Sequence, residues 1–399
     1  MLRSKLNNSA VAIIDWNISG HHPTYLREYT IAFSEQNIPV VVLSPEPPDI
    51  APLPSSVAWK KIPTTTWMKR RQLFGMPIAR WLFARRLLKV LRQAERAFGV
   101  SCSRVFFGCF YENQSKIITR AISTLQLPAS GLYVQAGIFH SGKYLTRCKL
   151  TRKVERLFKH ELLEKIFMLD EEKMDVVANF SGKHVQYLPD ITDCSVDDSD
   201  PLPRQLGLEP KIRPIIGLLG HLRPSKGIRE LISFARSTPD LDVTFLLAGS
   251  CRWEEFETED VEYIKQAIQE DSRIIFHPER IPTEASYNAL VRACDVLWAV
   301  YCDFPHSSNT IAKAVFFEKP VVVAEGYLMA RLTQRYALGL VVVLGCVESI
   351  RAALLPILLD PRGWLVANPP LWHEFRKEYS CECFRERLRE WFFLSYPRK

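Results

Sequence analysis

The feature that most constrains the fold of this chain is the regular alternation of short apolar runs with helical patterns. In the first half, runs rich in β-branched and aromatic residues predict strands at Val11–Asp15, Val40–Leu43, Arg104–Gly108, Gly131–Gln135, Lys165–Leu169 and Val185–Leu188. In the second half they predict strands at Pro214–Leu219, Asp242–Ala248, Arg273–Phe276, Val296–Val300, Pro320–Ala324 and Leu340–Val343. Helical patterns fill most of the gaps, at Tyr25–Glu35, Pro77–Phe98, Arg152–Glu164, Lys226–Arg236, Glu284–Cys294, Thr310–Phe317 and Ser349–Leu359. Strands that alternate with helices predict an α/β fold with parallel sheets and right-handed crossovers.

The alternation is interrupted once, in the stretch PDITDCSVDDSDPLPRQLGLEPKI at residues 189–212. This stretch is rich in Asp, Pro and Ser and has little periodicity, which is typical of a linker. It divides 399 residues into two halves of similar size, as expected for a chain of two domains. Each half is predicted to be a doubly wound sheet, which binds ligands at the carboxyl ends of its strands where the strand order reverses.

Composition and the chain start favour a cytosolic protein. Apolar residues make up 47% and charged residues 24% of the chain, which is ordinary for a soluble globular protein. No apolar run approaches the roughly 18 residues that a membrane-spanning helix needs. The first residues, MLRSKLNNSAVAIIDW, lack the apolar block and cleavage site of a signal peptide. Among the ten scattered cysteines only Cys381 and Cys383 lie close together, and such a pair alone does not predict a metal site.

The excess of positive charge is concentrated in Lys69–Arg96. This segment holds nine basic residues against one acid, Glu95, and so carries the same net charge, +8, as the whole chain. On a helix, one face carries Arg85, Lys89, Arg92 and Arg96, and another carries Ala84, Leu88, Leu91, Ala94 and Phe98. A basic amphipathic helix predicts either contact with an anionic membrane or an ordinary solvated face. We favour the membrane, and not nucleic acid, because no nucleic-acid-binding module accompanies the charge.

An anion site is predicted at the start of the second half, in PIIGLLGHLRPSKGIRELISFA. A buried strand runs into a loop that contains Gly220, Arg223, Lys226 and Gly227, and a helix follows directly. Glycines let the backbone approach a ligand closely, and a helix N-terminus attracts anions. Lys226 adds a point charge at the same place. The alternative is an ordinary strand-to-helix loop with solvated cations.

GHLRPSKG and the later strand DVTFLLAGS resemble the opening of the C-terminal domain of GT-B glycosyltransferases, most closely the retaining family 4. Lys226 and Gly227 match that family's Lys-Gly, whereas His221 stands at the position of its arginine, with Arg223 two residues on. About 180 residues match the family in order, through PTEASYNALVRACDVLWAVY, EKPVVVAEG, ALGLVV and EYSCECFRERLREWF. The resemblance implies that Lys226, with Arg223 or His221 and the loop at Gly220, grips the diphosphate of a nucleotide sugar.

The resemblance also implies candidate residues in the first half. AIIDWNISGHHPTYLREYTIAFSEQNIPVVVLS matches the family's first strand, glycine loop and helix. In the family this loop lies near the acceptor, which points to Gly20, His21 and His22; a solvent-exposed loop is the alternative for both histidines. His140, just beyond a predicted strand in LYVQAGIFHSGKY, corresponds to a histidine that contacts the transferred sugar in many family members; a structural histidine is the alternative. No Asp-x-Asp pair suited to a metal–diphosphate is found, as is usual for this fold, so no metal or cofactor is predicted.

The stretch FPHSSNTIAKAVFFEKPVVV departs from the family pattern at its most informative position. The family has two glutamates there, the second of which binds the ribose hydroxyls; this chain has Pro305 and Lys313 instead. A lysine cannot accept hydrogen bonds from ribose, so Lys313 is predicted to grip phosphate or an acidic sugar. Ser307, Ser308 and Asn309 open the predicted helix and suit phosphate, and Tyr301 and Asp303 stand just before them.

We therefore expect a GT-B glycosyltransferase that moves a sugar from a nucleotide-sugar donor to a glycan or lipid-linked acceptor, with retention and without metal. The alternatives are a catalytically silent GT-B subunit that binds a partner enzyme and a GT-B sugar-nucleotide epimerase. The predicted division is an acceptor-side domain at 1–190, a linker at 191–212, a donor-binding domain at 213–380 and a closing helix at 381–399 that packs back toward the first domain. The expected location is the cytoplasm, including the inner face of the membrane.

Overall fold

The computed structural model describes residues 9–17, 20, 22–63, 77–134, 136–146 and 148–394, without the side chains of 391–394. The chain divides into two compact units. Unit 1 is Met1–Ile191 with Ser380–Lys399, and unit 2 is Thr192–Tyr379. No helix in the described part is both long enough and apolar enough to span a membrane.

Thirteen strands and sixteen helices are numbered along the described part of the chain. The strands are β1 Ser9–Ile14, β2 Val40–Ser44, β3 Val57–Lys61, β4 Ser101–Phe110, β5 Ala129–Tyr133, β6 Leu163–Met168, β7 His184–Tyr187, β8 Ile215–Leu219, β9 Thr244–Ala248, β10 Ile274–His277, β11 Val296–Ala299, β12 Val321–Ala324 and β13 Gly339–Val342. The helices are α1 His22–Ser34, α2 Pro77–Phe98, α3 Ser115–Leu125, α4 Gly137–His140, α5 Lys149–Phe158, α6 Met174–Ser181, α7 Leu202–Gln205, α8 Ile228–Ser237, α9 Thr258–Glu270, α10 Glu284–Ala293, α11 Asn309–Phe316, α12 Leu328–Arg335, α13 Val347–Leu359, α14 Pro361–Ala367, α15 Trp372–Glu378 and α16 Cys381–Leu394.

Unit 1 is built on a seven-stranded parallel sheet in the order β3-β2-β1-β4-β5-β6-β7. Every residue of β2 and β5 is buried, as expected when helices cover both faces of a parallel sheet. One apolar layer contains residues of α2, α3 and α5, and the layer on the opposite face contains residues of α1 and α16. The strand order reverses between β1 and β4, so the ends of these two strands mark the expected ligand position.

Helix α16 belongs to unit 1 although it lies at the end of the sequence. Phe384 and Leu388 are fully buried in the same apolar cluster as Tyr25 and Tyr29 of α1. The Arg385 guanidinium lies 2.9 Å from the carboxylate of Glu28, which is itself buried. Apolar packing and this ion pair together hold α16 against α1.

Unit 2 is built on a six-stranded parallel sheet in the order β10-β9-β8-β11-β12-β13. The order reverses between β8 and β11. Residues 192–200, predicted as part of a linker, lie against α10: the Asn288 amide donates to the carbonyl of Ser195 at 2.7 Å, and the Ser286 hydroxyl donates to Asp200 at 2.6 Å. The predicted α/β class with two parallel sheets is confirmed.

The sequence prediction omitted several helices, including α3, α9 and α12, and it missed or misplaced two further elements. Strand β3, Val57–Lys61, was not predicted; it is an edge strand whose sequence VAWKK ends in two lysines, and charged residues are typical of exposed edges. The helix predicted at Arg152–Glu164 instead begins at Lys149 and ends at Phe158, since β6 already starts at Leu163. The C-terminal end of this helix was misplaced because no glycine or proline separates Phe158 from Leu163.

Candidate functional site

In unit 2, the backbone at the ends of β8 and β11 is drawn together by glycine. Gly227, which ends the loop after β8, has a φ of 71°, and a Cβ there would lie 2.0 Å from the carbonyl oxygen of Val300. Gly220, directly after β8, has a φ of 110°. Only glycine adopts these backbone angles without strain and permits so close an approach. The predicted glycine loop therefore lies beside the end of β11, where the strand order reverses.

His221, directly after Gly220, lies within electrostatic range of four cationic side chains. Partial burial and the charges of Arg252, Arg223, Lys226 and Arg280 lower the pKa of His221. Arg252 follows β9 and Arg280 follows β10, so each is placed by the strand before it. We call these residues the cation cluster: His221, Arg223, Lys226, Arg252 and Arg280. Concentrated positive charge at a strand-end loop is suited to an anionic ligand.

Sequence reasoning missed Arg252 and Arg280. Each stands three or four residues after its strand, but an arginine in that position is common on any protein surface. The only available signal was that they follow β9 and β10, the two strands on one side of β8 in the sheet, and that order is not visible in the sequence. Both side chains are exposed. Arg252 also forms an ion pair with Glu255 at 3.0 Å.

Lys226 is held by aromatic rings from the loop after β11. Its ammonium lies 3.8 Å from the ring centre of Tyr301 and 5.3 Å from that of Phe304, distances at which a cation is attracted to the ring face. The Tyr301 hydroxyl lies 2.8 Å from the Thr310 hydroxyl. Burial acts to raise the pKa of Tyr301, but the Lys226 charge and hydrogen bonds to Thr310, Lys226 and Ser308 outweigh it and lower the pKa. Tyr301 thus joins Lys226 to the first turn of α11.

The predicted phosphate-binding residues at the start of α11 occupy different environments. Ser308 is buried and caps the helix, because its hydroxyl accepts a hydrogen bond from the Thr310 amide at 3.4 Å. Ser307 is half-buried. The side-chain oxygen of Asn309 is buried and has no hydrogen-bond partner among the described residues. Such an oxygen is costly to leave unpaired, which marks Asn309 as the polar group of this turn that still requires a donor.

Lys313 does not have the surroundings that its predicted role requires. Its side chain is only 1% exposed. The ammonium donates to the carbonyl of Asp193 at 2.6 Å, to Glu284 at 2.7 Å and to the side-chain oxygen of Asn288 at 2.6 Å. An ammonium has three donors, and all three are used within unit 2. The prediction that Lys313 grips phosphate or an acidic sugar is therefore at odds with this geometry, which makes Lys313 a clamp between α11, α10 and residue 193.

In unit 1, a buried polar cluster lies where β1 and β4 end. Asp15, directly after β1, is 2% exposed, and its carboxylate lies 3.0 Å from Nδ1 of His22. Nε2 of His22 lies 2.8 Å from the Tyr111 hydroxyl, directly after β4. Burial acts to lower the pKa of His22, but Cys109 and Asp15 outweigh it and hold the pKa well above its ordinary value. His22 is thus a buried member of a hydrogen-bonded cluster and not part of a solvent-exposed loop.

The other predicted residues of unit 1 are placed separately. Gly20 is exposed with a φ of 65°, and His21 lies outside the described residues. His140 ends α4, and its Nε2 lies 2.8 Å from the carboxylate of Asp170. The carboxylate of Glu112, which was not predicted, accepts hydrogen bonds from the Tyr133 hydroxyl at 2.7 Å and the Ile138 amide at 2.8 Å. Glu112 therefore fixes the start of α4, the helix that carries His140.

The basic segment forms α2 from Pro77 onward, whereas Lys69, Arg70 and Arg71 lie outside the described residues. The side chains of Arg85, Lys89, Arg92 and Arg96 are exposed, as predicted. Phe98, predicted on the apolar face, is 47% exposed. Slight desolvation and the charges of Arg80, Lys153, Lys149 and Arg156 lower the pKa of Lys116 on α3. The positive surface therefore extends from α2 over α3 and α5.

No family model matches this sequence, and no curated protein matches it by sequence. The fold, in contrast, matches solved structures over almost the whole chain. Sucrose-phosphate synthase from Thermosynechococcus elongatus is 14% identical with a TM-score of 0.71, over 98% of this chain and 100% of its own. HepE from Anabaena, solved with UDP and glucose, is 15% identical with a TM-score of 0.68, over 96% and 99%. The E. coli trehalose-6-phosphate structure bound with UDP-2-fluoro glucose is 9% identical with a TM-score of 0.67, over 96% and 98%.

These neighbours are GT-B glycosyltransferases, and the chain has their fold. The GT-B fold expected from the resemblance is thereby confirmed. At 9–15% identity the likeness concerns the fold; the assignment to family 4 stays a prediction.

Proposed function

We propose that this protein is a glycosyltransferase that uses a nucleotide sugar and binds its diphosphate at the cation cluster. The observation that carries the proposal is that the charges of Arg223, Lys226, Arg252 and Arg280 all act on His221, which follows β8 beside the reversal point of the unit 2 sheet. A diphosphate is the part of such a donor that most requires positive charge. The fold neighbour HepE was solved with UDP-glucose, which supports the same ligand class here.

The cation cluster suits the chemistry of a departing nucleoside diphosphate. Negative charge grows on the diphosphate as the bond to the sugar breaks, and fixed cations placed at that charge lower the barrier. The Tyr301 and Phe304 rings hold the Lys226 ammonium in position, so little reorganisation is needed. Arg223 adds planar donors that can bind two phosphate oxygens at once. We propose that the reaction proceeds with retention because GHLRPSKG resembles family 4. We propose that the diphosphate binds without metal because this set of cations can neutralise its charge.

The proposed acceptor is a glycan or a lipid-linked sugar, and α2 is the proposed contact with an anionic membrane. Besides its exposed cations, this helix exposes Ile78, Trp81 and Leu82 to 67%, 42% and 45%. Arg85 lies over the Trp81 ring at 4.7 Å. Apolar and basic side chains that share one exposed surface suit the boundary of an anionic bilayer.

Donor binding is tested by calorimetry with UDP, GDP and their glucose conjugates. Wild-type protein should bind at least one of them, and Lys226→Met and Arg223→Met should each weaken it by about tenfold or more, the value of one charge-assisted hydrogen bond. Lys265→Met, an exposed lysine on α9, is the matched control and should bind like wild type. A protein that binds no nucleoside diphosphate contradicts the proposal.

Turnover separates the three candidate functions. Transfer of the sugar to an added glycan or lipid-linked acceptor supports the transferase. Tight binding with no turnover of any donor supports the silent subunit, and release of nucleotide with an epimerised sugar supports the epimerase.

The membrane contact has its own test. Arg85, Lys89, Arg92 and Arg96 are replaced together by Ser, and sedimentation with vesicles of anionic phosphatidylglycerol is compared with neutral phosphatidylcholine. The control replaces four exposed cations of unit 2, Arg229, Arg236, Lys265 and Arg362. Loss of binding in the α2 variant alone supports the contact; equal binding of all three proteins removes α2 from it.

A further inference from the structure

We propose that Asp15, His22 and Cys109 form a zinc-binding site in unit 1. One ligand atom from each of these side chains lies within 4.8 Å of the other two, and all three residues are buried. In the described part of the chain this is the one group of His, Cys, Asp and Glu with that geometry. The proposal is independent of the proposed transferase, whose predicted metal independence concerns the diphosphate in unit 2.

The sheet order of unit 1 brings the three ligands together. Asp15 directly follows β1, Cys109 lies near the end of β4, and His22 is the first residue of α1. Strands β1 and β4 are neighbours in the sheet, so both ligands emerge at one edge. His22 is 7 positions after Asp15, and Cys109 is 87 positions after His22. No metal-binding spacing motif therefore predicts the site from the sequence.

The distance between the histidine and the carboxylate requires only a small adjustment. Nδ1 of His22 lies 3.0 Å from Oδ2 of Asp15. In a tetrahedral zinc site with bonds of about 2.0–2.1 Å to nitrogen and oxygen and about 2.3 Å to sulfur, ligand atoms stand roughly 3.3–3.6 Å apart. An outward movement of a few tenths of an ångström would therefore admit the ion between the histidine and the carboxylate.

Outer hydrogen bonds already orient the ligands. The Asn17 amide donates to the second oxygen of Asp15 at 2.9 Å, and Nε2 of His22 lies 2.8 Å from the Tyr111 hydroxyl. Zinc-binding histidines commonly use their other ring nitrogen in this way, which fixes the ring and its tautomer. Gly108 completes the arrangement: a Cβ at this position would lie 2.7 Å from Oδ2 of Asp15, so the glycine leaves room for the carboxylate.

The donor set selects the kind of metal. A thiolate, an imidazole and a single carboxylate suit zinc, whereas magnesium and calcium prefer ligand sets made of oxygen. Three protein ligands leave a fourth position for a small molecule such as water. Binding requires the Cys109 thiol to lose its proton, and the ion would then join β1, β4 and the start of α1.

Metal content decides the proposal. Purified full-length protein is stripped with a chelator, reloaded with Zn²⁺, separated from excess metal and analysed by mass spectrometry. Wild type should retain one zinc per chain, and Cys109→Ser should retain none. The matched control is Cys102→Ser, which alters another buried cysteine of the same strand β4 and should keep the zinc. Tyr111→Phe should weaken zinc about 10–100-fold by removing an outer hydrogen bond.

Cobalt provides a second readout that does not depend on the folding of a variant. One equivalent of Co²⁺ added to wild type should give the visible bands of a tetrahedral site and a thiolate-to-cobalt charge-transfer band. An octahedral spectrum without the sulfur band, or equal zinc retention by wild type and Cys109→Ser, would overturn the site. The three side chains would then be a metal-free hydrogen-bonded cluster.

Discussion

Replacing Lys313 by Met removes the clamp of unit 2 while keeping most of the side-chain volume. The wild-type ammonium donates to the carbonyl of Asp193, to Glu284 and to Asn288 at 2.6–2.7 Å. Methionine fills a similar space with its apolar chain but offers no donor. The substitution therefore isolates the three hydrogen bonds from the packing of the alkyl part.

The expected cost follows from what each acceptor loses. The carbonyl of Asp193 and the buried amide oxygen of Asn288 each lose a donor, at roughly 1–3 kcal/mol per group. The side chain of Glu284 is 42% exposed, so water can hydrate its carboxylate. Its contribution to the loss of unfolding free energy is therefore small. The free energy of unfolding should fall by about 2–6 kcal/mol. For a unit of this size that lowers Tm by roughly 4–24 °C.

Thermal and urea unfolding followed by circular dichroism measures this cost. Lys265→Met is the control; it loses only an exposed contact with the Trp253 ring at 5.3 Å, so its change should stay within about 1 kcal/mol. Because no ammonium donor of Lys313 is left for a ligand, folded Lys313→Met should bind nucleoside diphosphate as wild type does. Lys313→Glu should be less stable still, since it places a carboxylate beside Glu284. A Lys313→Met protein that melts like wild type but loses nucleotide binding would refute the clamp.

Two further predictions concern the glycine loop and the histidine cluster. Gly227→Ala should destabilise unit 2 by more than about 2 kcal/mol in urea unfolding, because the new Cβ would meet the Val300 carbonyl oxygen at 2.0 Å. The control is Gly345→Ala, which is also at positive φ but in open space, so it should cost only the roughly 1–2 kcal/mol of the backbone angle. Equal costs for the two variants would contradict the close approach at Gly227. The pKa of His22 is raised in the folded state, so its stabilising contribution is fully present below its unfolded value, about 6.5, and is lost as pH rises through the folded value. In chelator, the stability of wild type relative to His22→Gln should therefore fall as the pH rises above about 6.5; a constant difference would contradict it.

The fold was predictable because the inner parallel strands, such as β2, β5, β8 and β9, are buried on both faces and therefore form visible apolar runs. Strand β3 was missed because an edge strand needs no such run, and two of the five residues of VAWKK are charged. Helix α5 was given a wrong end because its last turn runs into β6 with no glycine or proline between them. Boundaries of this kind are set by where the chain reaches the sheet and not by local composition.

The candidate site was predictable only where its residues are adjacent in sequence. Arg223 and Lys226 lie in one loop, so a single motif reveals both. Arg252 and Arg280 join them only through the strand order β10-β9-β8. For Lys313 the sequence motif indicated the position but not the contacts. Its three hydrogen-bond partners are 25, 29 and 120 residues away in the chain. Which side chains surround a residue is a property of the packed fold.

The surroundings of Lys313 also bear on how a nucleotide would be recognised. By resemblance, the carboxylate at this position binds the ribose hydroxyls, and a buried, fully bonded lysine cannot replace it. Binding at the cation cluster should then depend on the diphosphate far more than on the sugar of the nucleoside. We therefore expect UDP and 2′-deoxy-UDP to bind with dissociation constants within about threefold of each other, because a lost hydrogen bond to a charged group would instead cost about tenfold or more. Calorimetry with both nucleotides measures the ratio, and inorganic pyrophosphate serves as the control for the phosphate contribution. A tenfold preference for UDP would mean that another acceptor in unit 2 has taken over the ribose.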